Sequence, residues 1–326
     1  MIAVIDPRRS EVVEGTDIWL RPRPGTDVAL ALGVIRYIIE HGYIERDFID
    51  EWTYDYELFK EEVMKWTPER VEEVTRVRWE LIEELGEAYG RLKPSATMIG
   101  IGLQKSLNGA ECVRAIALIP ALLGYHRGFY YSNSKGWQVD ISYITGEALS
   151  SVKSDVVSQV SLSEHIKRGD FKFIYVYNMN PAITLPDQNA LREGLLREDV
   201  FVVVHETRWI ETLEYADVVL PAPTYLEKDD VVLPYSHGYV RLSRRAIKPL
   251  GESKGEIWVM REIARRLHLA EEWILEDPWE ALRRAFKNAL EDGSFEDLIK
   301  GRLLKLRYKP LHEYQTPTGK IELLMN

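Results

Sequence analysis

Residues 199–227 read DVFVVVHETRWIETLEYADVVLPAPTYLE. Two short apolar runs stand in this stretch, at 201–204 and 218–220, both rich in β-branched residues. Such runs are expected as strands of a parallel sheet with both faces covered by helices. Each run stops at a polar or turn signal, His205-Glu206-Thr207 after the first and Pro221-Ala222-Pro223-Thr224 after the second. In an open α/β sheet, ligands bind beyond the carboxyl ends of the strands. These two endings are therefore expected to face a ligand.

The flanking sequence repeats the pattern. Upstream, 171–177 (FKFIYVY) alternates and ends in Asn178-Met179-Asn180-Pro181, a strand followed by a turn with amide donors and acceptors. A helix over 188–197 follows Asp187, and a short helix is expected at 163–169. Near the amino end, 2–5 reads as a short strand closed by Asp6-Pro7-Arg8. A carboxylate just past a strand end is where dinucleotide folds hold a ribose or base edge; a plain Asp-Pro turn explains it equally well. Pro24-Gly25-Thr26-Asp27 then opens a stretch with Val28, Leu30, Leu32, Ile35, Ile38 and Ile39 at helical spacing. Thr26 is expected to cap this helix, and Asp27 sits where the helix dipole favours an acid. The same carboxylate is equally suited to accept two hydrogen bonds from a guanine edge.

Helices are expected at 45–52, 56–66 and 78–92, with Thr67-Pro68 as a start signal. A strand at 96–103 carries Gly100 and Gly102 and leads through Gln104 and Asn108-Gly109 into a helix over 112–123. Glycines there let a backbone approach a ligand closely. Cys112 falls on the apolar pattern of that helix and reads as a core residue. Residues 124–137 read as a long loop or domain junction. In the second half, 229–245 reads as a hairpin or loop excursion, with helices at 256–267, 278–290 and 295–306. Asp217 is expected to be structural.

A chain of 326 residues suggests about two domains. A net charge of −10 argues against nucleic acid or an anionic membrane as the main partner. The single cysteine cannot by itself form an intrachain disulfide, an iron–sulfur cluster or a cysteine-rich zinc site. The opening MIAVIDPRRS is too short an apolar run for a signal peptide or membrane span, so a cytoplasmic location is expected. No G-x-G-x-x-G follows an early strand and no G-x-x-x-x-G-K-S/T occurs, which argues against the usual NAD and P-loop folds.

Six short motifs occur in one order: DPR at 6–8, PGTD at 24–27, G-x-G-x-Q at 100–104, NP at 180–181, ADVVLP at 216–221 and TGKIE at 318–322. Together they resemble the molybdopterin-dependent oxidoreductases of the dimethyl sulfoxide reductase superfamily, in particular the biotin sulfoxide reductase-like branch. The resemblance implies an α/β fold of two Rossmann-like lobes, with mainly parallel sheets flanked by helices. The lobes would span 1–138 and 139–268, the second possibly incomplete, with 269–326 as a helical tail leading to a C-terminal domain outside this chain.

The implied cofactor is molybdopterin guanine dinucleotide with molybdenum or tungsten, and no Fe–S cluster in this chain. Asp6, Arg8, Pro24, Gly25 and Asp27 would hold the guanosine end of one dinucleotide, and Gly102 and Gln104 would face the cofactor. Asn178, Asn180, Pro181, His205, Glu206, Thr207 and Thr212 would hold the other. Arg127 or Lys135 would meet a phosphate.

The family's metal-ligating side chain belongs upstream of residue 1, so no catalytic or metal-binding residue is assigned. The chain alone is then expected to be an inactive central fragment. The missing segments of the same enzyme, a partner redox subunit or a second copy would complete it. A non-catalytic scaffold subunit of a redox complex is the alternative reading.

Overall fold

The amino-terminal apolar run forms β1 (Ala3–Ile5), which pairs in parallel with β2 (Ile18–Leu20). The structure is a computed structural model that describes residues 1–131, 136–152, 155–235, 237–269, 271–309 and 313–324. It divides into two units, residues 1–133 with 309–326, and residues 134–308. Both are mixed α/β.

In the first unit, α1 (Asp27–Glu40) follows the PGTD turn and is the central helix. Then come α2 (Arg46–Trp52), β3 (Thr53–Tyr54), α3 (Tyr56–Met64), α4 (Pro68–Thr75) and α5 (Trp79–Arg91). A second parallel pair, β4 (Thr97–Met98) and β5 (Phe129–Tyr130), flanks α6 (Gly109–Leu122). The apolar positions of α1 recur every three or four residues. Leu30, Val34, Ile35 and Ile38 thereby share one core with Val71 of α4, Ile82 and Leu85 of α5, and Ile119 and Leu122 of α6. Thr67 caps α4 by accepting the Arg70 N–H at 3.3 Å, with Pro68 at the first helical position, as the sequence predicts.

The second unit starts with α7 (Ile141–Ile144) and α8 (Leu162–Arg168). Its sheet is built from β6 (Phe173–Tyr177), β7 (Phe201–Glu206) and β8 (Val218–Pro221), in that order and all parallel. Between them lie α9 (Pro181–Thr184) and α10 (Gln188–Leu195), the latter capped by the Asp187 carboxylate on the Ala190 N–H. Val176, Val202 and Val204 line one face of the sheet and pack on Ile166 of α8 and on Leu191 and Leu195 of α10. Beyond the sheet come β9 (Asp230–Val231), β10 (Tyr239–Val240) and β11 (Leu242–Ser243); β9 and β11 form the expected antiparallel excursion. Then follow α11 (Glu256–Arg266), α12 (Glu272–Leu275), α13 (Pro278–Ala285), α14 (Phe295–Ile299) and β12 (Leu304–Lys305). The closing strand β13 (Ile321–Glu322) pairs in parallel with β3 of the first unit.

Several local expectations are corrected. Thr26 does not cap α1: its hydroxyl turns back onto the Arg23 carbonyl at 2.6 Å, because its backbone already closes a turn there. The strand expected over 96–103 is only two residues long, since Gly100 and Gly102 begin a turn. The helix expected over 295–306 ends at Ile299, and Leu304–Lys305 pairs antiparallel with β10. Strand β8 is not buried on both faces: Val218 and Val219 are 37% and 41% exposed at the sheet edge.

The observed units also divide the expected tail. Residues 269–308 lie in the second unit, where Ala285, Phe286, Phe295, Leu298, Leu304 and Leu306 bury Trp137 and Val240. Residues 309–326 return to the first unit.

Candidate functional site

Two sets of strand-end residues are candidates, one in each unit. In the first unit, a cavity of about 640 Å³ opens at the carboxyl ends of β1 and β4 and the amino end of α1. Asp6, Pro24, Gly25, Asp27 and Gly102 all line it, so it gathers residues from three separate turns of the sequence. Asp6 closes the strand with a local turn, its carboxylate Oδ1 accepting the Arg8 N–H at 2.7 Å, and Oδ2 takes no partner among the described residues. Gly25 holds φ +83°, a conformation that favours glycine, and a Cβ there would meet nothing within 4 Å. Asn108 fixes this turn by donating to the Gly25 carbonyl at 3.1 Å.

Asp27 is half-buried in the first turn of α1, and among the described residues its only hydrogen bond is to its own backbone N–H. Burial pushes its carboxyl above the usual value of 3.8. A partly desolvated acid without a side-chain donor is costly to retain unless a guest supplies the donors. Cys112 lies behind it, fully buried, its thiol pushed up by burial first and then by the Asp27 charge. Arg8 is exposed with no ion pair among the described residues. Gln104 sits outside the cavity lining and accepts a hydrogen bond from the Tyr131 hydroxyl. Lys135 lies outside the described residues, and Arg127 is engaged in contacts of its own.

In the second unit, the carboxyl ends of β6 and β7 bring Asn178, Asn180, Pro181, Glu206, Thr207 and Thr212 into two adjoining turns. Asn178 is held at φ +52°. The fully buried Thr212 hydroxyl donates to Asn180 Oδ1 at 2.7 Å and accepts the Ala182 N–H at 3.2 Å. Asn180 Nδ2 donates to the Glu211 carboxylate at 2.8 Å. That hydrogen bond comes first among the causes holding Glu211 below the usual carboxylate range. Pro181 starts α9 at its first position. Glu206 Oε1 accepts both the N–H and the hydroxyl of Thr207.

His205 is 1% exposed and has both ring nitrogens engaged. Nε2 donates to the Lys254 carbonyl at 2.8 Å, and Nδ1 meets the Tyr175 hydroxyl at 2.8 Å. Burial pushes that phenol up to about 12. As placed, His205 ties β6, β7 and the start of α11 together and has no ring nitrogen left for a guest. Asp217 is structural, accepting the Val202 N–H across the sheet at 2.7 Å.

Two polar features here were not read from the sequence. Glu227 is buried and accepts the N–H and hydroxyl of Thr224 and the N–H of Leu250, which hold its carboxyl low. It thereby fixes the loop after β8. Lys228 pairs with both oxygens of Glu256 at 3.2 Å. The Glu in ADVVLPAPTYLE was visible as part of a motif, but its backbone partner at Leu250 is 23 residues away.

The sequence pattern of the family described as "Molybdopterin oxidoreductase" matches residues 1–266. The chain belongs to the molybdopterin oxidoreductase family.

Similar curated members of the family include the "Probable oxidoreductase YoaE" of Bacillus subtilis, 33% identical over 99% of this chain and 49% of that protein. Another is the "F420-dependent formate dehydrogenase subunit alpha" of Methanocaldococcus jannaschii, 30% identical over 82% of this chain and 43% of that protein. Among solved structures, acetylene hydratase from Pelobacter acetylenicus superposes with a TM-score of 0.80 at 21% identity, covering 98% of this chain and 51% of that one. At that identity the likeness shows the fold. The chain spans about half the length of the curated relatives it matches. Among the described residues of this molybdopterin oxidoreductase chain, no helix is long and apolar enough to cross a membrane. None of its described His, Cys, Asp and Glu residues cluster as a ready-made metal site.

Proposed function

We propose that this chain is the central portion of a molybdenum or tungsten oxidoreductase, and that it holds the guanosine and phosphate ends of two molybdopterin guanine dinucleotides. The observation that carries the reading is Asp27: a half-buried carboxylate without a side-chain partner, at the amino end of a fourteen-residue helix, on the wall of a cavity. Guanine offers two adjacent N–H donors to such an acceptor, whereas adenine offers no equivalent pair. Gly25 would admit the base edge, Asp6 Oδ2 would take a further donor, and the α1 amino end with Arg8 would favour a phosphate. In the second unit, Glu206 Oε2 and the Asn178–Pro181 turn would take the other guanosine end, with His205 and Thr212 holding those groups in position.

When bound, the cofactor supplies the metal and dithiolene chemistry, and the residues named here supply position and charge. Substrate and metal ligand are not assigned to any residue of the chain. Family membership supports the cofactor class, and the unsatisfied Asp27 supports the guanine form.

Calorimetric titration tests the reading directly. GDP is expected to bind more tightly than ADP. Asp27→Asn is expected to weaken GDP by about 10- to 100-fold, since hydrogen bonds to a charged acceptor contribute about 1.5–3 kcal/mol. Equal, weak binding of GDP and ADP would remove the guanine assignment.

A further inference from the structure

Three segments of the first unit carry six arginines and no acid: Pro7-Arg8-Arg9, Arg21-Pro22-Arg23 and Arg76-Val77-Arg78. The first follows β1, the second follows β2, and the third joins α4 to α5. Arg21 Nε donates to the Pro7 carbonyl at 3.0 Å, and the Arg23 N–H donates to the Thr75 carbonyl at 2.8 Å, so the three segments adjoin. All six arginines are exposed, and none has an ion pair among the described residues. Elsewhere Arg46, Arg168 and Arg283 each meet a carboxylate. Three acids near these segments in the chain are turned to backbone donors instead. Asp6 takes the Arg8 N–H, Asp17 Oδ2 takes the Ile2 N–H at 2.7 Å, and Glu72 takes the Trp79 N–H at 2.6 Å. Glu11, Glu14, Glu73 and Glu80 are exposed and pair with none of the six.

The backbone presents these side chains in a fixed way. Arg21 precedes Pro22 and Arg23 precedes Pro24, and a following proline holds a residue in the extended region. Pro22 itself is buried between its two arginines, and Val77 between Arg76 and Arg78 is 3% exposed. Each pair thus flanks a residue anchored in the fold. Alternate residues of an extended chain stand about 6.6 Å apart on one face. Little backbone freedom is left at 21–24 to be lost on binding. The planar guanidinium fork takes a carboxylate through two parallel hydrogen bonds.

We infer that this arginine surface docks a short, extended, carboxylate-rich segment of a partner protein. Glutamates at alternate positions of such a segment repeat at the spacing of Arg21 and Arg23. Arginine clusters are a recurring way to recognise acidic motifs. The size of the partner's charged part follows from the rest of the chain. Charges at physiological salt act over about 8 Å. A long polyanion would reach past the arginines to a chain whose net charge is −10, and be repelled. A short acidic segment meets the arginines alone. The inference rests on Arg9, Arg21, Arg23, Arg76 and Arg78. It leaves Arg8, Asp6 and Asp27 to the guanine reading, and stands or fails apart from it.

The test is fluorescence anisotropy of a rhodamine-labelled, capped Gly-Glu-Ser-Glu-Ser-Glu-Gly peptide titrated with the full chain. The controls are the same peptide with glutamine for glutamate, one with phosphoserine in a glutamine background, and a single-stranded DNA 20-mer. The glutamate peptide is expected to bind, and to bind more weakly as salt is raised. The double variants Arg21→Gln/Arg23→Gln and Arg76→Gln/Arg78→Gln should each weaken it by about 5- to 30-fold. Arg241→Gln/Arg245→Gln removes two exposed arginines of the second unit, also without an ion pair among the described residues, and should leave binding unchanged. No binding at millimolar peptide overturns the surface, as does equal binding of the glutamine peptide. Equal losses in all three double variants reduce it to general charge and overturn it. Tighter binding of the phosphoserine peptide or of the DNA assigns the arginines to phosphate and overturns the acidic segment. Displacement of the peptide by GDP gives them to the nucleotide and also overturns it. Failure of the guanine reading would show instead as absent GDP binding with peptide binding intact.

Discussion

Asp27 and His205 are both polar groups placed next to strand or helix ends, and their environments differ in kind. His205 is buried with every ring nitrogen satisfied, so it stabilises the sheet end. Asp27 is partly buried and lacks a side-chain donor, which leaves it available. The sign of the pH effect at Asp27 follows from its environment. Burial raises the folded value above 3.8, and only the ionised form accepts two donors. GDP affinity is therefore expected to be full at neutral pH. It should fall on acidification at a pH above the ordinary aspartate range, while Asp27→Asn shows no such step. Parallel pH profiles for the two proteins, measured by calorimetry, would take the titration away from Asp27.

Helix α1, which carries Asp27, packs closely against α5. Gly86 and Gly90 stand four residues apart on one face of α5, the spacing that puts side chains in line. A Cβ at Gly86 would lie 2.5 Å from Cδ1 of Tyr37, and one at Gly90 would overlap the Tyr43 ring. The two tyrosine hydroxyls donate to the same Glu87 oxygen, at 3.1 and 2.6 Å, and the Tyr43 bond leads in holding that carboxyl low. Gly86→Ala is expected to cost about 1–3 kcal/mol in urea unfolding, from overpacking. Gly15→Ala, with nothing within 4 Å, should stay within about 0.5 kcal/mol. Equal effects would show that Tyr37 gives way freely. The glycines at 86 and 90 are plain in the sequence of the helix expected over 78–92; the rings that fill the groove come from residues 37 and 43 and are not.

The chain as a whole closes on itself through its last described segment. Ile321 and Glu322 pair with Thr53 and Tyr54, the Arg114 guanidinium donates to the Glu322 carbonyl, and Leu323 is 2% exposed in the core of the first unit. The Tyr314 hydroxyl meets His126 Nδ1 at 2.8 Å. The TGKIE stretch is thus a strand of the first unit, not the end of a tail. Leu323→Ala is expected to lower stability by about 2–5 kcal/mol in denaturant unfolding. A change under about 0.5 kcal/mol, the range of an ordinary surface substitution, would mean the segment adds nothing to that core.

By itself the sequence determined the elements and the family. Runs of β-branched residues marked β6, β7 and β8, helical spacing marked α1, α5 and α11, and Thr67-Pro68 and Asp187 marked helix starts. Each of these signals acts within a few residues of chain, through side-chain periodicity and backbone capping. The six ordered motifs pointed to the family that residues 1–266 match. The turn at Asp6 was legible for the same local reason.

Only the tertiary structure decided what those turns face. It buried His205 between Tyr175 and Lys254, left Asp27 with no side-chain donor, sent residues 309–326 back to the first unit, and held β1 and β4 apart as separate edges. These outcomes depend on contacts between residues tens to hundreds of positions apart. Such contacts are selected by the apolar faces that can be buried together, and a local pattern records that a face exists without recording what covers it.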